Sequence, residues 1–358
     1  MWWPKVWVFR RDERLREEPI SMNELAELVD DLGRRAFDTR VGHRFPESFD
    51  EALWRNLEDT GLARLTSSQD AGPAEAAIVL SGLARHAAAV PIAETDLLAA
   101  WLAGKAGLSA PDSGPLTVAT AVAAEHGGRI TGTAREVPWP LGTVILAART
   151  ADVLHIAVVE GTQIVDGHNL AGEPRGSFTF DIAVGDTRTV DVGVADELSR
   201  RGAWARCNQI IGALDAACEL TVAHTGDRVQ FGRLLNKFQA VQHSLAAMAG
   251  EIERARAATA LAIAAATDYG FDHPATDYAV TAAKVAVGRA VSPVTTIAHQ
   301  LHGAIGVTIE HRLWLATMRA RSWVDEFGTT THYARRLGRM ALAADDPWDV
   351  VVSYPAPR

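Results

Sequence analysis

Cysteine and tyrosine are scarce in this chain, and long apolar runs are missing from its 358 residues. The two cysteines, Cys207 and Cys218, form no CxxC pair, which argues against a disulfide scaffold. We therefore expect reduced, unreactive thiols and a cytoplasmic protein. The most apolar stretch, residues 258–267, is rich in alanine and too short to cross a bilayer, so no membrane partner is expected.

Basic residues are outnumbered by acidic ones, 35 to 44, which gives a formal net charge of −9. Binding to a phosphate backbone depends on clustered lysine and arginine, so nucleic acid is not an expected partner. A local basic groove for a nucleotide stays open. The sequence also lacks a G-x-G-x-x-G after a strand, a P-loop and a nucleophile elbow. It therefore does not indicate a Rossmann domain, a P-loop NTPase or an α/β-hydrolase.

Histidine provides one candidate for metal ligation. His299 and His302 are spaced i, i+3, with His311 beyond them, but no acidic or third ligand accompanies this pair. We therefore predict no metal site. His224 and His243 are interpreted as ordinary surface or bundle histidines.

Residues 1–22 form a predicted N-terminal extension. Four aromatic residues are followed at once by charged ones, without the apolar core and small-residue cleavage site of a signal peptide. One interpretation is upstream sequence read from an early start codon, with Met22 as the natural start. The alternative is a short ordered arm.

Helical periodicity characterises residues 23–110, the predicted N-terminal helical domain. Apolar residues recur at i, i+3, i+4 and i+7 within residues 25–36, and a second stripe covers residues 49–57. Further helices are predicted over residues 74–90 and 96–108. A glycine near the end of each of the second and fourth helices favours termination there.

The pattern changes to short strand-like runs over residues 111–194, the predicted middle β domain. Val, Ile, Thr and Phe are frequent, with turn residues between the runs. Phe178, Phe180 and Ile182 alternate as a strand with one buried face requires. Several such strands in succession predict a small barrel or sandwich.

Helical periodicity returns over residues 195–345, followed by a tail at 346–358. From Val241 to Ala262, apolar or small residues recur at alternating steps of four and three, the seam of near-parallel helix packing in a four-helix bundle. The predicted fold class is thus α+β and mostly α, with helices, then strands, then helices.

Three motifs in the last domain resemble the acyl-CoA dehydrogenase family. They are RVQFGRLLNKFQAVQHSLAAMA at 228–249, HQLHGAIGVTIEH at 299–311 and FGTTTHYARRL at 327–337. The order of helices, strands and helices is also that family's architecture. The resemblance implies FAD-dependent α,β-dehydrogenation of an acyl-CoA thioester, in lipid or sterol side-chain breakdown.

The resemblance also implies a set of FAD-binding residues. Arg228 carries an always-charged fork suited to a pyrophosphate, and in the family the matching arginine reaches FAD held mainly by a neighbouring subunit. The other implied FAD-binding residues are Gln230, Phe231, Leu235, Phe238, Gln239, Gln300, Leu301, Gly303, Ala304, Thr329 and Thr331. Thr117 stands near the family's flavin-lining loop, where its hydroxyl is a further candidate.

The catalytic base is where the sequence departs from the family. The reaction needs a carboxylate beside the thioester carbonyl. Most members supply it from Glu-Gly-Thr, but residues 327–329 read Phe-Gly-Thr. Other members place it at the start of the first C-terminal helix, here near Gly202. The nearby acids are Asp196, Glu197, Asp325 and Glu326. Glu326 and Glu197 are weak candidates, and the catalytic residue stays unassigned.

These departures leave several functions open. The chain is either an FAD-dependent acyl-CoA dehydrogenase or a non-catalytic subunit that completes the FAD site of a catalytic partner. The second alternative resembles the shorter subunit of actinobacterial-type heteromers that act on sterol side chains or other bulky acyl groups. A related flavin oxidase or monooxygenase is a third. Expected partners are an acyl-CoA substrate, a second subunit in a homo-oligomer or heteromer, and an electron-transfer acceptor if the chain is active.

Overall fold

The computed structural model describes residues 20–39, 45–68, 71–160 and 164–352. They fall into two units. The first comprises the described residues up to Leu80 together with Ala88–Gly202, and the second comprises Ser81–Ala87 and the described residues from Ala203 onward. The predicted N-terminal extension lies outside the described residues up to position 19. No described helix combines the length and apolar character needed to cross a membrane.

The N-terminal helices follow the predicted apolar stripes. Helix α1 spans Met22–Thr39, α2 spans Glu51–Asp59 and α3 spans Pro73–Arg85. The carboxylate of Asp50 caps α2 by accepting from the backbone N–H of Leu53 at 2.9 Å. The stripe of α2 buries Leu53, Trp54 and Leu57.

Two details of this region differ from the sequence prediction. The helix predicted over residues 74–90 ends at Arg85, since Ala87 has a positive φ of 52°. The next helix begins at Ala93, not at 96, and is π-helical over Ala93–Ala100 before α4, Trp101–Lys105. Within the π-helical segment, the carboxylate of Asp96 accepts from the backbone N–H of Ser67 at 2.8 Å, a contact distant in sequence.

Seven strands form the predicted β domain. They are β1 Leu116–His126, β2 Arg129–Pro138, β3 Thr143–Arg149, β4 Leu154–Val159, β5 Val165–His168, β6 Pro174–Ala183 and β7 Arg188–Val190. The strand order is β5-β6-β2-β1-β3-β4-β7. Strand β1 pairs in parallel with β3 through residues 116–122 and antiparallel with β2 through residues 123–126, so it joins the two halves of the sheet.

The predicted alternation in β6 is confirmed. Phe178 and Phe180 are buried, and the partly buried Ile182 packs against the same core. That core also includes Ile130 and Leu146, from two other strands.

The second C-terminal helix confirms the predicted bundle seam. The C-terminal helices are α5 Gly193–Asp227, α6 Gln239–Tyr269, α7 Pro274–His302, α8 Arg312–Trp323, α9 Thr330–Ala343 and α10 Asp349–Val352. Helix α6 buries Met248, Ile252, Ala255, Thr259 and Ala262. Helix α7 continues through Pro293 without interruption.

Close approach between α7 and α9 requires a glycine. A Cβ added to Gly288 of α7 would overlap the side chain of Thr330, the first residue of α9. Because threonine is branched at Cβ and stiff at χ1, it cannot easily move aside. Gly288 therefore determines how closely the start of α9 approaches α7.

Candidate cofactor-binding site

A short hairpin follows α5 and carries the first motif. Strands β8, Val229–Gln230, and β9, Arg233–Leu234, are antiparallel. The two turn residues, Phe231 and Gly232, have φ values of 52° and 79°. A two-residue turn with positive φ at both positions is of type I′, which favours Asn-Gly. A phenylalanine at its first position is therefore strained, and its side chain is 91% exposed.

The hairpin presents an exposed guanidinium. The backbone N–H of Arg228 donates to the carbonyl of His224 at 2.9 Å, which attaches the hairpin to the end of α5. With the Gln230 amide turned so that its oxygen faces Arg228, that oxygen accepts from Nε at 3.3 Å and from Nη2 at 2.9 Å. This pair of bonds restricts the direction of a side chain that is otherwise open to solvent.

Aromatic and apolar side chains continue along the hairpin and the segment after it. The rings of Phe231 and Phe238 are edge to face, with centroids 6.2 Å apart. The guanidinium of Arg233 lies 4.0 Å from the centroid of the Phe238 ring. Leu235 is half-buried and Gln239, the first residue of α6, is exposed.

The second motif ends α7 and forms a glycine turn. Gln300 is exposed and Leu301 half-buried in the last turn of the helix, and Gly303 and Ala304 are exposed after it. Gly303 ends α7 with φ 67° and ψ −146°, a conformation that favours glycine. The backbone N–H of Gly303 donates to the carbonyl of His299, and the two small residues that follow His302 leave the surface at this turn without bulky side chains.

The third motif begins α9. Thr329 is exposed, and its hydroxyl caps the helix by accepting from the backbone N–H of His332 at 3.2 Å. Thr331 is also exposed. Phe327 has φ 55°, and its carbonyl accepts from the hydroxyl of Tyr333 at 2.8 Å. No side-chain carboxylate is therefore present where the family resemblance implies the base.

Glu326, one candidate base, forms an ion pair. Its carboxylate accepts from Nε of Arg206 at 2.6 Å, and the Arg206 side chain is 3% exposed. The Nη1 of Arg206 also donates to Gln209 at 2.6 Å. A neighbouring guanidinium stabilises the ionised carboxylate and so weakens it as a proton acceptor. This arrangement favours a structural role for Glu326.

Glu197, the other candidate, is also held by an arginine. Its carboxylate accepts from Nε of Arg201, one helical turn later, at 3.0 Å. The guanidinium of Arg201 lies 4.2 Å from the centroid of the Trp101 ring. Gly202 has no carboxylate of its own. Thr117 is buried and its hydroxyl donates to the carbonyl of Pro138 at 2.5 Å, so that hydroxyl is already used within the β domain.

Sequence reasoning did not identify the side chains that hold the turn before α9. Nζ of Lys284 is buried and donates to the carbonyls of Val324 and Glu326, each at 2.9 Å. Burial lowers the pKa of Lys284 from its ordinary value. A lysine inside the apolar run of α7 was the available signal, because a buried cation needs partners.

Nor did it anticipate that several histidines would meet. The rings of His224 and His302 are stacked with centroids 4.4 Å apart, and His302 lies 5.1 Å from His311. Nε2 of His299 instead lies 2.9 Å from the hydroxyl of Thr317. Within the described part of the chain, no group of three or more His, Cys, Asp or Glu has an arrangement that could hold a metal ion.

Comparison with known proteins gives a consistent result. Residues 194–341 match the family model described as acyl-CoA dehydrogenase, C-terminal domain. The acyl-CoA dehydrogenase IpdE2 of Mycolicibacterium smegmatis is 31% identical over 317 residues, which cover 85% of this chain and 90% of that protein.

Two solved structures show the same fold. The ChsE4-ChsE5 complex from Mycobacterium tuberculosis matches with a TM-score of 0.76 and 23% identity, covering 90% of this chain and 97% of the matched one. The Tcur3481-Tcur3483 steroid ACAD variant matches with a TM-score of 0.77 and 23% identity, covering 90% and 99%.

Proposed function

Because this chain belongs to the acyl-CoA dehydrogenase family of oxidoreductases, we propose that it works in the α,β-dehydrogenation of an acyl-CoA thioester by completing an FAD site, while a partner subunit supplies the base. One observation carries the proposal. Arg228 presents a guanidinium whose direction Gln230 restricts, and Phe231 presents a strained, exposed ring, whereas Phe327 stands where the family resemblance implies a glutamate.

The exposed groups fit the dinucleotide part of FAD. Arg228 supplies a permanent positive charge for the pyrophosphate, and the exposed, small residues Gly303 and Ala304 let the cofactor approach the backbone closely. The amides of Gln230 and Gln300 offer hydrogen bonds to polar edges of the cofactor.

Further contacts are proposed for the remaining members of the site. The Phe231 ring offers an exposed stacking surface. The other side chains proposed to contact FAD are Leu235, Phe238, Gln239, Leu301, Thr329 and Thr331. When bound, FAD accepts the hydride removed from the acyl chain.

The ion pairs of the candidate carboxylates support a catalytic base that comes from a partner subunit. Proton removal beside the carbonyl needs a carboxylate that is available to accept a proton. Glu326 is paired with Arg206 and Glu197 with Arg201. Phe327 cannot accept a proton at all. A partner that retains the glutamate would complete the reaction, and electrons would then pass to an electron-transfer protein.

The names of the structural relatives support a heteromer acting on a bulky substrate. One relative is a complex of ChsE4 with ChsE5, and another is a steroid ACAD. We propose by analogy that the substrate of the complete assembly is a CoA thioester of a sterol side chain or a similarly bulky acyl group.

Reconstitution of flavin absorbance tests the proposal. The full chain is purified alone, and also co-purified with a co-expressed acyl-CoA dehydrogenase subunit that contains the Glu-Gly-Thr motif or the alternative glutamate. Each preparation receives FAD and then a panel of acyl-CoA thioesters, while bleaching is recorded. We expect bleaching only in the mixed preparation. A yellow chain that bleaches alone would establish a self-sufficient dehydrogenase and overturn the proposed role.

Variants of the hairpin make the test specific. Arg228→Ala is expected to abolish retention of FAD by the mixed preparation, and Arg228→Lys to weaken it because the bidentate fork is lost. Arg254→Ala is the matched control, since that arginine pairs with Glu251 on the exposed face of α6. Equal FAD retention in all three variants would rule out the proposed contact.

A further inference from the structure

Three imidazole rings meet where two of the proposed cofactor segments begin. His224 lies in the last turn of α5 and its carbonyl accepts from the backbone N–H of Arg228, the first residue of the hairpin motif. His302 ends α7, immediately before Gly303. The two rings are stacked at 4.4 Å with an interplanar angle of 21°, and His311 meets His302 edge to face at 5.1 Å. We call these three rings the histidine clasp.

The surroundings of His302 favour its uncharged form. Nδ1 lies 2.9 Å from the carbonyl of Ala298. Because a carbonyl only accepts, Nδ1 carries the proton and Nε2 is bare in the neutral ring. Nε2 is buried and has no hydrogen-bond partner among the described residues. A second proton would therefore place a buried N–H, and a charge, where nothing accepts it.

His311 is also unsuited to a second proton. Its Nδ1 accepts from the backbone N–H of Leu313 at 3.2 Å and so caps the start of α8. Protonation at Nδ1 would remove this cap. It would also place a positive charge at the positive end of a helix dipole. The two rings that meet edge to face thus both resist protonation for separate geometric reasons.

Burial and the neighbouring histidines also lower the pKa of His302. The pKa of His302 falls to about 4, first because of burial and then because of His224, His311 and His299, with its bond to Ala298 opposing. Burial also lowers the pKa values of His224, His299 and His311. The other charged side chains facing these histidines are Asp227, Arg228 and Arg321.

We propose that His224, His302 and His311 are positioning residues. As uncharged rings they join the base of the Arg228 hairpin to the base of the Gly303 turn. Protonation of the rings separates these two segments. The connection to the cofactor rests on the function proposed above. The coupling between the segments does not, because it can be measured without FAD or a partner.

The direction of the pH effect follows from the lowered pKa of His302. In the open state the histidine has its ordinary pKa of 6.5, whereas in the clasp the value is about 4. Between these values the open state binds a proton that the closed state does not. The clasp is therefore fully closed above pH 6.5 and loses stability as the pH falls toward 4. For one histidine with these two values, opening at pH 5.5 rises up to about tenfold.

Hydrogen exchange of the full chain tests the coupling. Protection factors, corrected for the intrinsic exchange rate, are compared at pH 7.5 and 5.5 for peptides that cover residues 228–238 and 299–307. We expect both segments to lose protection together, up to about tenfold. His302→Phe should keep an uncharged ring and abolish this pH dependence. Because that variant also loses the bond to Ala298, His302→Asn is a second variant with the same expected result, since its side-chain amide keeps a donor for that carbonyl and is not protonated in this pH range.

A matched control separates the clasp from general acid effects. His126→Phe replaces an exposed histidine at the end of β1 and should leave the wild-type pH profile unchanged. Any one of three results would overturn the inference. These are protection that does not depend on pH, protection that changes with pH in only one of the two segments, and a pH dependence in both clasp variants that is the same as in the wild type.

A separate FAD titration distinguishes the two proposals. FAD is titrated into the mixed preparation at pH 7.5 and 5.5, with wild-type chain and with His302→Phe. Weaker binding at pH 5.5 in the wild type alone supports the clasp as a positioning device. If the two segments exchange together but Arg228→Ala does not weaken FAD binding, the proposed function and the cofactor role of the clasp are both wrong. Only the coupling between the two segments is then supported. If FAD binding depends on Arg228 but hydrogen exchange does not depend on pH, the clasp inference is wrong and the proposed function stands.

Discussion

The Nε of Arg206 lies 2.6 Å from a carboxylate oxygen of Glu326, although 120 residues separate them in the chain. The arginine is almost completely buried, while the Glu326 side chain is 23% exposed. The pair therefore joins α5 to the turn before α9 from within the C-terminal unit. That turn carries Phe327, where the family resemblance implies a catalytic glutamate.

Removing the Glu326 charge should affect stability and not catalysis. Glu326→Gln removes the carboxylate charge that pairs with the buried guanidinium of Arg206, so we expect the free energy of unfolding to fall by roughly 2–4 kcal/mol. Urea denaturation measures this change. Glu253→Gln breaks an exposed pair with Arg256 and should cost less than about 0.5 kcal/mol. Loss of flavin bleaching in the mixed preparation, with stability unchanged, would instead identify Glu326 as the base.

Phe231 should show a trade-off between stability and binding. Phe231→Asn places the favoured residue in the type I′ turn, so we expect a gain of about 1 kcal/mol in the free energy of unfolding. FAD retention by the mixed preparation should fall, because the exposed ring is lost. Leu342→Asn, at an 87% exposed position in α9, is the control and should leave retention unchanged. Stronger FAD retention in Phe231→Asn would contradict a functional origin of the strain.

Two glycines in neighbouring helices should respond oppositely to alanine. Gly288→Ala would overlap Thr330, so we expect it to destabilise the fold by about 1–3 kcal/mol. Gly338→Ala has open space around the new methyl group within α9 and should stabilise by about 0.5–1 kcal/mol. Thermal denaturation compares the two variants. Equal effects of the two substitutions would mean that α7 and α9 are not closely packed at Gly288.

Cys207 should be unreactive until the protein unfolds. Burial raises the pKa of its thiol to about 12, with Lys284 opposing. At pH 8 only about one thiol in ten thousand would then be ionised. A chromogenic disulfide reagent should label Cys207 only in denaturant, with the same midpoint as the loss of helical circular dichroism. The variant Cys218→Ser removes the other thiol. Rapid labelling of native Cys218→Ser protein would show that Cys207 is accessible.

The raised pKa of the Cys207 thiol also determines how its contribution to protein stability changes with pH. The folded protein holds the proton of Cys207 more tightly than the unfolded chain does. The thiol's contribution to stability is therefore fully present below its ordinary pKa of 9.0 and is lost as the pH rises toward 12.

Periodicity and local motifs determined much of this protein from the sequence alone. The seam from Met248 to Ala262, the alternation of Phe178 with Phe180, and the succession of helices, strands and helices are all local patterns, because each depends on spacing along a helix or a strand. The three motifs likewise identified the family, because their residues are contiguous.

Only the tertiary structure decided which chemical groups meet. The pairing of Arg206 with Glu326, the stacking of His224 on His302 and the burial of the Thr117 hydroxyl each join positions that are distant in sequence. Such contacts arise when the chain closes large loops and packs its helices, and they leave no periodic signal. The strain at Phe231 is also a tertiary property, since a turn's backbone angles depend on how its two strands pair. The apolar pattern thus specified the scaffold, and the packed structure decided which carboxylates, imidazoles and hydroxyls are available for function.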